Sequence, residues 1–174
     1  MADFPIPTTW DRPGLEAVGF EGFLPFETLT AVSLPESPGI YVVLRPANTE
    51  PTLLPVNPAK RQKGKDPTYL IEKLQAKWVP GCTVVYIGKA NPKKGLHGRV
   101  TQYRRMAANH WGGRAIWQLA DSAELLLAWI ETPEHDPEIV ETRYIDAFEG
   151  RYERIPFANW RRGSIPGAPV AAHN

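Results

Sequence analysis

Two tyrosines, a lysine, an arginine and a glutamate carry the chemistry this chain could do. Tyr41 stands in Pro38-Gly39-Ile40-Tyr41-Val42-Val43-Leu44 and Tyr86 in Thr83-Val84-Val85-Tyr86-Ile87-Gly88, two β-branched and aromatic runs with Pro or Gly punctuation. If the runs pair antiparallel and in register, both phenols point to one side of a sheet and can share one phosphate. Gly39 and Gly88 permit close backbone approach, and Lys89, directly after Gly88, is placed to touch a phosphate as a point charge. Arg99 lies one step from Val100 on the helical run that follows, at the margin of its apolar stripe. Its planar fork suits a non-bridging phosphate oxygen as charge builds in a transition state.

Glu141 is the sharpest signal outside the two tyrosine runs. On the last helical run the apolar positions are Val140, Tyr144, Ile145 and Phe148, and Glu141 falls inside their arc. An inward carboxylate needs a partner, because an unpaired buried charge is too costly. A hard divalent cation such as Mg²⁺ is one such partner. An inward arginine, Arg99 or Arg143, is the other. Glu138 and Asp146 read as solvated helix charges and His97 as a surface histidine. A phenol with an ordinary pKa of about 10 is a poor base at neutral pH, so a basic tyrosine here needs nearby cations to lower it.

Taken in order, the two tyrosine runs, the arginine of the following helix, the glutamate of a later helix and Asn159 in Ile155-Pro156-Phe157-Ala158-Asn159-Trp160 resemble the GIY-YIG nuclease family. The resemblance spans 38–160. It implies a metal-dependent endonuclease that hydrolyses phosphodiester bonds in DNA, using Mg²⁺ or Mn²⁺ on Glu141. It also implies roles: Tyr41 as general base or water-positioning group, Tyr86 on the phosphate or its neighbours, Arg99 on the phosphoryl oxygens and Asn159 as a hydrogen-bonding support. The departure lies between the tyrosine runs, where family members have a short link and this chain has 45–82. A nucleic-acid-binding module with little or no activity, or a subunit of a repair or restriction assembly, is the rival reading.

The elements that must position these residues follow from punctuation and periodicity. A chain of 174 residues is one domain's worth. The expected fold is α+β, a small three-stranded, mainly antiparallel sheet flanked by helices. An irregular arm covers 1–37, with a short helix at Phe26 to Leu29; the nuclease-like domain covers 38–160, and a flexible tail 161–174. Within 45–82, Asp66-Pro67 reads as a helix start carried on by Leu70, Leu74 and Trp78 until Pro80-Gly81. A helix is expected over Leu96 to Asn109 with Leu96, Val100, Tyr103 and Ala107 inward, and a short one over Arg114 to Leu119. Leu125 to Ile130 is expected as the third strand, and Asp136-Pro137 opens a final helix that stops near Gly150.

The net charge of +1 hides an uneven distribution. Between Lys60 and Arg114 there are thirteen Lys or Arg against Asp66 and Glu72 alone. A basic stripe of this kind attracts a phosphate backbone even on a nearly neutral molecule. Its candidate contacts are Lys60, Arg61, Lys63 and Lys65 in the loop, then Lys93, Lys94, Arg104 and Arg105. The expected partner is DNA of unspecified form, with targeting supplied by the insertion, a homodimer or a partner protein. Cys82 is the one cysteine and excludes an internal disulfide. No charged n-region with an apolar run and no apolar stretch of spanning length is present, so a cytoplasmic protein away from membranes is expected.

Overall fold

A computed structural model of the chain describes residues 4–30, 34–108 and 110–162. The fold is α+β, built on one antiparallel sheet. The strands are β1 (Glu21–Pro25), β2 (Gly39–Leu44), β3 (Val84–Ala90) and β4 (Leu126–Glu131), in the order β1-β4-β2-β3. β2 is buried along its whole length between β4 and β3, which explains its unbroken apolar run. β3 is an edge strand.

The fourth strand corrects the expected three. It comes from the N-terminal arm, which is not irregular: α1 (Arg12–Ala17) precedes β1, and a 3₁₀ turn at Thr28–Thr30 follows it. Asp11 caps α1 by accepting from the Gly14 amide at 3.0 Å. β1 escapes a reading by alternation because Gly22 (φ +96°) and Phe23 (φ +55°) are both left-handed and the register shifts between Gly22 and Leu24. Gly22 is also obligatory sterically, since a Cβ there would lie 2.2 Å from the Trp129 ring.

Two helices sandwich the sheet. The face bearing Tyr41, Val43 and Tyr86 packs against Leu96, Val100 and Tyr103 of α3 (Gly95–Arg104), and the face bearing Ile40, Val42 and Ile87 packs against Val140, Tyr144, Ile145 and Phe148 of α4 (Pro137–Tyr152). α4 starts as expected: the Asp136 side chain accepts from the Glu138 amide and Pro137 takes the first position. It passes through Gly150 and ends only where Glu153 turns left-handed. α3 is shorter than expected. Met106 is left-handed (φ +49°), and its carbonyl accepts from the Lys60 amide, so the insertion takes over where another helical turn would have continued. Ala107 therefore lies beyond the helix, and Asn109 lies outside the described residues.

The helix inside the insertion, α2 (Ile71–Lys77), begins later than Asp66-Pro67. Asp66 instead closes a local turn by accepting from the Thr68 amide at 2.8 Å. Residues 67–70 stay extended because the buried Gln118 holds them: its Oε1 accepts from Tyr69 N at 2.8 Å and its Nε2 donates to Tyr69 O at 3.0 Å and Leu54 O at 3.1 Å. Gln118 closes a 3₁₀ helix (Arg114–Gln118), the short helix expected there. The insertion is thereby fastened to the segment just after α3. The expected tail is described only at Arg161 and Arg162; its remainder lies outside the described residues. Among the described residues no helix is long and apolar enough to cross a membrane.

Candidate active site

Tyr41 and Tyr86 point to the same face of the sheet, but they are diagonal neighbours rather than a directly facing pair. Tyr41 pairs with Gly88, and Tyr86 with Val43. Their ring centroids are 6.0 Å apart. Gly88 is required by this packing: a Cβ on it would lie 2.5 Å from Tyr41 Cζ and 2.8 Å from Tyr86 Cε1. Gly39 serves a similar end, its missing Cβ leaving room for the Ile130 carbonyl and for Leu96 of α3. Both glycines thus make space for protein packing around the tyrosines.

Tyr41 is fully buried. Burial pushes its hydroxyl up to about 12, although Arg99 and Tyr86 pull the other way. The expected lowering by cations therefore loses to desolvation. Tyr86, which lines the groove described below, is likewise held well above the ordinary range by burial.

The Tyr41 hydroxyl is 2.7 Å from His110 Nε2, and His110 Nδ1 is 2.8 Å from the Gly112 carbonyl oxygen. A carbonyl only accepts, so the ring proton sits on Nδ1 and Nε2 accepts from Tyr41. The ring stacks on Tyr103 at 4.0 Å, and burial, with Arg99 adding to it, drives its pKa down to about 3. His110 is thus a neutral proton acceptor with a fixed tautomer. Gly113 (φ +75°) completes this wall, since a Cβ there would meet the Tyr103 hydroxyl at 2.6 Å and Tyr86 Cζ at 2.7 Å.

Across the β3 edge lies the charged half. Lys89 Nζ is 2.8 Å from Glu141 Oε2 and 3.2 Å from Glu138 Oε1. Glu141 is inward, its side chain only 12% exposed, and its hydrogen-bonded partner is Lys89, with Arg99 adding a weaker electrostatic pull. Glu138 is not a free solvated charge, because it shares the same ammonium. The pair is asymmetric. Burial raises the Glu141 carboxyl by more than Lys89 lowers it, whereas for Lys89 the two carboxylates outweigh burial and raise its pKa. Among the described residues no three His, Cys, Asp or Glu side chains gather as a metal site, and the carboxylates that meet here are these two. Two oxygen donors converging on one cationic position are the hard donor type that Mg²⁺ or Mn²⁺ takes.

Asn159 fastens the loop after α4 to the edge of the sheet. Its Oδ1 accepts from Ile87 N at 3.0 Å and its Nδ2 donates to Ile87 O at 2.8 Å, while Ala158 N donates to Val85 O at 2.8 Å. The amide acts as a surrogate strand on the unpaired edge of β3.

A groove of about 480 Å³ runs over this edge, lined by Tyr86, Lys89, Glu141 and Asn159 among others. A second hollow of about 300 Å³ is lined by Lys89, Asn91, Lys93, Lys94 and Arg99. Lys89 is common to both. The structure therefore brings Tyr86, Lys89, Glu141, Arg99, Lys93 and Lys94 together, with Tyr41 behind Tyr86. Lys60, Arg61, Lys63 and Lys65 are exposed but line neither hollow; the Lys60 amide ties their turn to Met106, next to Arg104 and Arg105. Arg61 is paired with Asp66 at 3.0 Å. His97 pairs with Glu36 at the surface, as a non-site histidine would.

Sequence reasoning did not find His110, nor the aromatic and cationic residues Tyr69, Trp111, Arg114 and Trp160 that line the far end of the groove. The available signal was the run His110-Trp111-Gly112-Gly113-Arg114, which reads as a helix break until its glycines are seen to pack on the tyrosines. Comparison of the chain with protein-family models, with curated proteins and with solved structures returns no match.

Proposed function

We propose that the chain is a metal-dependent phosphodiester hydrolase, an endonuclease of the GIY-YIG kind acting on DNA. The observation that carries this reading is the meeting of Tyr86, Lys89 and Glu141 in one groove, with Arg99 in the hollow next to it and the Tyr41–His110 pair behind. Arg99 and Lys89 bind the phosphoryl oxygens and offset the charge that builds there. Tyr86, the phenol that lines the groove, orients the attacking water. Tyr86 takes the water's proton as it passes its own to the hydrogen-bonded Tyr41, and Tyr41 gives its proton to His110 Nε2, so no free phenolate has to form. A phosphate that neutralises Arg99 lessens the smaller of the two influences that hold the His110 pKa down, while burial, the larger, remains. Glu141 and Glu138 would hold Mg²⁺ or Mn²⁺, which when bound supplies charge neutralisation at the leaving oxygen. With a cation on the two carboxylates, Lys89 would be free to turn to the phosphate.

The burial of Tyr41 and the ammonium on Glu141 favour one other reading, a nucleic-acid-binding module with little activity. Incubation with supercoiled plasmid and Mg²⁺ or Mn²⁺ separates the two. The nuclease reading expects nicked or linear product, reduced about 10²-fold or more in Arg99→Ala and Glu141→Gln. Cleavage that survives both substitutions removes this mechanism, and absence of cleavage of any DNA by the unaltered protein leaves the binding module.

A further inference from the structure

The far end of the groove is built of flat groups. Tyr69 and Trp160 stack with centroids 4.2 Å apart and planes 13° from parallel. The Arg114 guanidinium lies 4.2 Å over Tyr69 and 3.6 Å over Trp111. Arg114 is fixed there by bonds from Nε to the Pro67 carbonyl and from Nη1 to the Trp111 carbonyl, both 3.0 Å. Lys77 Nζ sits 5.0 Å over the Trp160 ring. The parts come from three distant segments: the insertion, the turn after α3 and the loop after α4. Trp160 keeps 37% of its surface exposed and Trp111 is only partly buried, in a molecule that buries most of its other large aromatics. Core packing does not account for two indoles left at the rim of the groove that holds Lys89 and Glu141.

We infer that this end of the groove is a nucleobase platform, and that the substrate of the site is single-stranded DNA, with an unpaired base stacked on Trp111 or Trp160 beside the phosphate at Lys89. The inference rests on the nuclease reading for what the phosphate undergoes, and it deepens that reading by naming the substrate form. The argument is one of complementarity. Partly exposed indoles set among fixed cations suit an unstacked base and its phosphates, a combination that tolerates any sequence. Bases paired and stacked inside a duplex do not present their faces to an indole. The insertion, which has no counterpart in the short link of the resembling family, contributes Tyr69 and Lys77 to the platform.

The test is metal-free binding of the full chain, in EDTA and at fixed salt, to a labelled single strand, its duplex and a strand of equal length carrying abasic sites. The single strand is expected to bind tightest, and 2-aminopurine within it to show quenched fluorescence on binding. Trp111→Ala and Trp160→Ala should each weaken single-strand binding roughly five- to a hundred-fold with the salt slope unchanged. Trp160→Tyr should retain most of the affinity, which separates loss of a π-face from loss of folding. Equal affinity for the abasic strand, or preference for the duplex, overturns the platform. Cleavage with Mg²⁺ is scored separately: cutting together with duplex preference would remove the platform and leave the nuclease, while quenched single-strand binding without cutting would remove the nuclease and leave the platform.

Discussion

Asn159 closes both of its amide hydrogen bonds on a single residue, Ile87, giving the edge of β3 the donor and the acceptor that a neighbouring strand would supply. The strand carrying Tyr86 and Lys89 is thereby held from its open side, and the loop bearing Trp160 is drawn against the groove. Asn159 also receives Lys77 Nζ on its own carbonyl at 2.6 Å, so the insertion, β3 and the loop after α4 meet at this residue. Its part in the site is positional.

Asn159→Ala leaves two buried backbone groups of Ile87 without partners. At about 1–3 kcal/mol for each unsatisfied group, the expected loss is roughly 2–6 kcal/mol in urea unfolding. The Ile87 amide should exchange with solvent much faster than the amides of β2. A loss below about 0.5 kcal/mol with Ile87 still protected would show that another group pairs with the strand edge.

His110 makes a prediction about acid. Its folded pKa lies near 3 against an unfolded value near 6.5, so the folded state binds fewer protons than the unfolded chain in that window. The sign follows: its contribution to stability is fully present above pH 6.5 and is lost as pH falls toward 3. The slope from this one group approaches about 1.4 kcal/mol per pH unit. In His110→Gln, which cannot take up a proton, the pH dependence of unfolding between 6.5 and 4 should flatten by about that amount. An equal slope in both proteins would mean that the ring is protonated in the fold; Nε2 would then donate to the Tyr41 hydroxyl instead of accepting from it, while Nδ1 still donates to the Gly112 carbonyl.

What could be read from the sequence was what rests on local pattern. β2, β3, β4 and α4 follow from unbroken apolar runs, Pro and Gly punctuation and the Asp136-Pro137 cap, and Glu141 was legible as inward from helical periodicity alone. What escaped rests on contacts between distant segments. β1 is masked by two left-handed residues, and the start of α2 is displaced because Gln118, 52 positions after Asp66, holds the backbone of Tyr69 extended. His110 carries no mark of its own. It becomes a site residue only because Tyr103 stacks on it and the Tyr41 hydroxyl reaches it. Even Gly88, read as a point of backbone approach, is glycine for the sake of the Tyr41 ring across the strand pair.

Lys89 and Glu141 give the last prediction, because the ammonium stands where a divalent cation would neutralise the same carboxylates. Burial already holds the Glu141 carboxyl above its ordinary range, with Lys89 opposing that rise. Lys89→Met removes the opposing charge, so the Glu141 pKa should climb further and the folded state should carry an uncompensated carboxylate at neutral pH. A group whose folded pKa is raised loses its contribution as pH rises through that pKa, so the variant's deficit should be greatest near neutral pH and should shrink as pH is lowered toward the ordinary carboxylate range. Breaking one side of a partly buried pair sets the scale at a few kcal/mol, and roughly 1–3 kcal/mol is expected here because Lys89 remains 24% exposed. Millimolar Mg²⁺ should recover part of that deficit in Lys89→Met and none in Lys89→Met/Glu141→Gln, read as a shift in urea midpoint without any activity measurement. A deficit independent of pH, or recovery by Mg²⁺ that persists without Glu141, would show that Lys89 and the cation do not compete for this carboxylate.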